Sequence, residues 1–224
     1  MNIICMLLSW HCANAQPRIG MEGYSTSPAW YTQPVGRVYF ENARGTYGEI
    51  RYNYDAERTL GVSVGHAFRG GAAGASGWSV APMVGLFAGA GQGFSVGCNA
   101  TLERGSVSFS STDQLMGSVN SPNAASFYSW SELGRQMDKY LYAGVTFMGD
   151  RCAPDGRLAP GDRPAPAAWV ASVGPELRLC LGDWNFPVYF FVPTTGKGYW
   201  LLGVEREWSL AAPVINHQKR TYYK

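Results

Sequence analysis

The chain is short of histidine, of charge and of long apolar runs. Histidine occurs 3 times in 224 residues, which leaves little material for imidazole acid–base chemistry. Charged residues make up 15% and the net charge is +2. With no cluster of Lys and Arg, the composition excludes a phosphate-binding nucleic-acid surface. Beyond the first ten residues, no apolar stretch approaches the roughly 18 residues that a spanning helix needs. The 5 cysteines fall into no CxxC or Cys/His spacing, so a zinc site is not indicated.

Glycine and aromatics are plentiful instead: 28 Gly and 14% Phe, Trp and Tyr. That pairing suits a barrel with tight turns and aromatic girdles. A mean hydropathy of −0.14 does not oppose this, because lipid-facing and lumen-facing residues alternate along a barrel strand and their averages cancel.

The first residues read as a targeting segment. Ile3–Trp10 is a short apolar core, and Ala13-Asn14-Ala15 fits a small-x-small cleavage site. Residues 1–15 are therefore expected to be a signal peptide, with export through its cleavage. The mature chain then holds Cys98, Cys152 and Cys180, an odd number that leaves at least one thiol unpaired within the chain.

Residues 16–36 show no clear period and are expected to be an extended periplasmic segment. From Val38 a two-residue alternation takes over, the signature of strands. Ile50, Tyr52 and Tyr54 share one face against Glu49, Arg51 and Asn53. Leu60, Val62, Val64 and Phe68 oppose Gly61, Ser63, Gly65 and Ala67. Similar patterns recur to Trp208. Arg104-Gly105 and Gly182-Asp183 are short turns, and the longest connections fall near residues 114–125 and 149–167. The expectation is an all-β, antiparallel up-and-down transmembrane β-barrel over residues 37–208. It has about ten strands, with eight as the alternative. Residues 209–224 form a C-terminal tail.

Gly198–Trp208 reads as the closing strand. Trp200, Leu202, Val204, Arg206 and Trp208 alternate with Tyr199, Leu201, Gly203, Glu205 and Glu207. Three segments carry a wider likeness: Glu49–Tyr54, Phe127–Glu132 and Pro187–Phe191. On these the chain resembles small bacterial outer-membrane β-barrel proteins, closest to uncharacterised barrels of the Bacteroidetes type. That resemblance implies a Gram-negative outer membrane, lipid as the surrounding partner, and the barrel-insertion machinery during assembly. Gly203 and Trp208 stand where the family's assembly signal has a glycine and an aromatic. Arg206 and the following tail depart from it. The resemblance brings no catalytic residue and no cofactor.

The lumen candidates are charged: Glu49, Arg51, Glu103, Glu176, Arg178, Glu205 and Glu207. In a narrow barrel they must pair, since an isolated buried charge is costly. First and last strands meet when a barrel closes, so Glu205 or Glu207 is expected to face Arg51. His66 lies on the bulky face, away from Ser63 and Ser95, and no Ser-His-acid triad closes. The favoured reading is a non-enzymatic, monomeric outer-membrane barrel with a structural or interaction role through its outside loops. It has no cofactor and no nucleic-acid partner. A porin-like small-solute channel is the main alternative, and a secreted lipocalin-like or β-sandwich binding protein is a further one.

Overall fold

The computed structural model describes residues 17–27, 34–53, 58–72, 76–89, 91–119, 125–152, 168–194 and 197–209. The expected signal peptide, the tail beyond Ser209 and most of the 149–167 connection lie outside these residues.

Thirteen β segments follow in order: β1 (Arg18–Ser27), β2 (Val35–Glu41), β3 (Thr46–Tyr52), β4 (Thr59–His66), β5 (Phe68–Ala72), β6 (Ser76–Gly89) and β7 (Gly93–Arg104). Then come β8 (Val107–Ser118), β9 (Ala125–Gln136), β10 (Leu141–Cys152), β11 (Ala168–Leu181), β12 (Trp184–Pro193) and β13 (Tyr199–Ser209). Each pairs antiparallel with its neighbour, β1 pairs with β13, and the sheet closes. β4 and β5 keep one register against β6: Gly65 faces Met83 and Phe68 faces Val80. They are two pieces of one strand, so the 13 segments form a barrel of 12 strands. The break at Ala67 occurs where its N–H donates to the Gly45 carbonyl at 2.7 Å, at the edge of the β2–β3 turn.

Two strands separate this count from the expected ten. β1 was concealed because Gly20, Gly23 and its serines dilute the alternation, leaving Ile19 and Met21 as its apolar residues. β2 and β3 merged in the sequence because a compact turn, Asn42–Gly45, joins them. Asn42 Oδ1 accepts the amides of Arg44 and Thr46 at 2.9 Å each, and Gly45 adopts φ 85°. Of the expected periplasmic segment 16–36, residues 18–27 are instead barrel wall, because β1 is the strand that closes the barrel.

With an even strand number the start of β1 and the end of β13 lie at one end of the barrel, Arg18 facing Ser209. That end carries the short turns, including Gly105 (φ 61°) and Gly182 (φ 65°), where a positive φ favours glycine. The longer connections sit at the other end, the asymmetry of outer-membrane barrels.

The barrel is apolar outside and polar inside. Leu86 is 70% exposed on the outer face, whereas Arg51 is 1% exposed and Glu49 3%. A soluble lipocalin-like barrel would show the reverse, so the secreted alternative conflicts with this surface. Aromatic pairs mark both rims: Phe127–Trp169 and Phe190–Trp200 toward the long connections, and Trp184–Phe186 toward the short turns. No described helix is long and apolar enough to cross a membrane. The crossing elements are strands, whose backbone groups are all satisfied by closure.

Candidate functional site: the charged lumen

The pleat decides which residues meet inside. On β2 and β3 the odd positions point inward, and on β1, β9 and β11 the even ones do. Three clusters of opposite charges result.

The first lies near the short-turn end. The Arg18 guanidinium donates to Glu41 Oε2 at 3.0 Å and lies 3.3 Å from Glu207. Arg69 also bonds Glu41. The Tyr39 hydroxyl donates to Glu207 at 2.6 Å. The second joins Arg37 with Glu22 and Arg51 with Glu49 at 2.7 Å. Arg51 also donates to Gln114 on β8 at 2.5 Å, which bridges the lumen.

The third cluster sets one cation among three carboxylates. Arg178 reaches Glu176 at 2.6 Å, Glu132 at 2.9 Å and Glu205 at 3.7 Å. Aromatic donors hold the other oxygens of Glu132 and Glu205. Tyr189 donates to Glu132 at 2.8 Å, Trp130 Nε1 to Glu132 at 2.9 Å, and Tyr24 to Glu205 at 2.7 Å. The Tyr24 and Trp130 rings meet at 6.2 Å between β1 and β9, so this cluster too spans the lumen.

All but one of the seven expected lumen charges enter these clusters. Glu103 lies at the short-turn rim and lines the cavity. The expected seam between Arg51 and Glu205 or Glu207 does not form, because β13 pairs with β1. Arg178 and Tyr24 take Glu205, Arg18 takes Glu207, and Arg51 turns to Glu49 and Gln114. Sequence reasoning missed Arg18, Glu22, Arg37, Glu41, Arg69 and Glu132. Part of the signal was available: Arg18, Glu22 and Tyr24 share one face of an alternating stretch, as do Tyr128, Trp130 and Glu132.

His66 packs edge-on against Phe68 at 4.8 Å, and Ser63 and Ser95 lie buried in the lumen wall. Gly203 lets Tyr24 and Pro187 approach: a Cβ there would come within 2.7 Å of each. Arg206 turns outward, its guanidinium 4.7 Å from the Trp184 ring and 4.6 Å from the Trp208 ring. At this rim its charge can reach water while its stem covers apolar surface. Cys98 and Cys180 are free thiols.

The clusters do not fill the barrel. A cavity of about 980 Å³ runs along the lumen from Glu103 and Glu207 at one rim to Asn53 and Lys197 at the other.

No family model and no curated protein matches the sequence. Solved structures do. A KdgM porin in complex with disordered oligogalacturonate superposes with a TM-score of 0.53 at 9% identity, over 84% of this chain and 98% of that one. A NanC porin does so with a TM-score of 0.52 at 9% identity and the same two coverages. The fold is that of these porins. At such identity the likeness fixes the fold alone and does not confirm the Bacteroidetes-type kinship. Together with the cavity along the lumen it overturns the expectation of a structural or interaction role through the outside loops.

Proposed function

We propose that this chain is an outer-membrane channel for small hydrophilic solutes, without enzymatic activity of its own. The observation that carries this reading is the cavity that runs between the two rims through a charged, water-compatible wall. The porin fold and the apolar outer belt support it, and so does the placement of long connections at one end. The bridges from Arg51 to Gln114 and from Tyr24 to Trp130 narrow the path, so the solutes are small ones. Export by a signal peptide and insertion by the barrel-assembly machinery belong to the same proposal.

Purified, refolded protein in planar bilayers is expected to give steady single-channel currents. Consistent failure to conduct, with a folded barrel verified by heat-modifiable gel mobility, would overturn the reading.

A further inference from the structure

The wall charge indicates which solutes pass; this inference rests on the channel reading above. The first two clusters are balanced, each with two arginines and two glutamates. The third is not: Arg178 alone faces Glu132, Glu176 and Glu205, an excess of two carboxyl groups. Outside the clusters, the inward positions add Glu103 and Asp150 against Lys197 at the outer rim. Arg206 also borders the cavity at the short-turn rim, so among the described residues the lumen carries two more carboxylates than cations.

Position strengthens the effect. Glu132 and Glu205 line the cavity itself. Among its described residues, the facing wall from β4 to β8 offers Ser63, Ser95, Thr101 and Thr112, and its one inward cation, Arg69 on β5, is taken up by Glu41. In a narrow passage with low-dielectric walls, a fixed charge acts over a longer range than in water. A pore with one excess sign of charge selects the opposite ion.

We propose that the channel is cation-selective and that its solutes are small cations, inorganic or amine-bearing, rather than acidic sugars. The test is the reversal potential of the full-length wild-type protein in a planar bilayer under a KCl gradient at low ionic strength, where screening is weak. Potassium is expected to permeate several-fold better than chloride. The double variant E132Q/E205Q, which keeps the side-chain size and shape, is expected to bring that preference close to parity. A reversal potential at zero or of the chloride sign overturns the inference while leaving the channel intact. A potassium preference undiminished in E132Q/E205Q overturns its assignment to this cluster. Absence of current in verified barrels overturns the channel reading and this inference with it.

Discussion

The two sides of the lumen wall are built differently. β1–β3 and β9–β13 carry large groups that touch: Arg178 with three glutamates, Tyr189 and Phe191 fully buried, and Trp130 wedged between strands. β4 and β6–β8 carry mainly Ser, Thr, Gly, Ala and Met inward, with Glu103 at the rim and Gln114 reached by Arg51. One side is held by mutual satisfaction of charges. The other leaves space. A barrel that keeps a cavity along its lumen follows when only one side is filled.

Breaking the filled side has the largest expected consequence. Arg178→Met strands three carboxylates without their counter-ion and is expected to cost about 3–5 kcal/mol. Ser63→Ala on the open side is expected to stay within about 0.5 kcal/mol, as for most substitutions away from such features. Urea unfolding followed by gel mobility compares the two, and equal losses would erase the distinction between the walls.

The filled side also depends on backbone proximity. A Cβ at Gly174 would lie 1.7 Å from the Phe190 carbonyl oxygen. Gly174→Ala is expected to cost about 1–3 kcal/mol through forced displacement of β12, read as a lower urea midpoint.

On the outer face of the open side, Asp113 sits mid-strand and accepts from the Ser111 hydroxyl at 2.8 Å, with Ser131 3.0 Å from Ser111. A carboxylate facing lipid is unfavourable, and Asp113→Val is expected to stabilise the barrel by about 1 kcal/mol. Unfolding in lipid vesicles checks this, and a loss of stability would show that the polar patch is satisfied as it stands.

The smallest stability change is expected for Thr112→Trp, which adds bulk to a wall with room for it. Single-channel conductance should nonetheless drop markedly while the unfolding midpoint stays put. Unchanged conductance would place the path elsewhere.

Much of the fold was legible. The alternation from Glu49 to Trp208 marked β3, β4 and β6–β13, because a strand with lipid on one side and water on the other alternates from residue to residue. β1 was not legible, since its glycines and serines weaken that contrast and its membership depends on β13 being its partner. The lumen charges were partly legible for the same reason. Glu176 and Arg178 stood out on a polar face, and their mutual contact follows from a spacing of two on one strand. Glu132 belongs with them only because β9 and β11 flank β10 in the closed sheet.

The sequence by itself determined that this chain forms an inside-out β-structure with short turns at one end. Period-two patterning and turn chemistry are local, and each strand carries its own. Tertiary structure alone decided the strand number, the closing partner and which charge meets which. Those follow from closure and stagger, which bring together residues far apart in the chain, such as Tyr24 and Glu205. The cavity along the lumen is of the same kind: it is the volume left after both walls have placed their side chains, and no single strand encodes it.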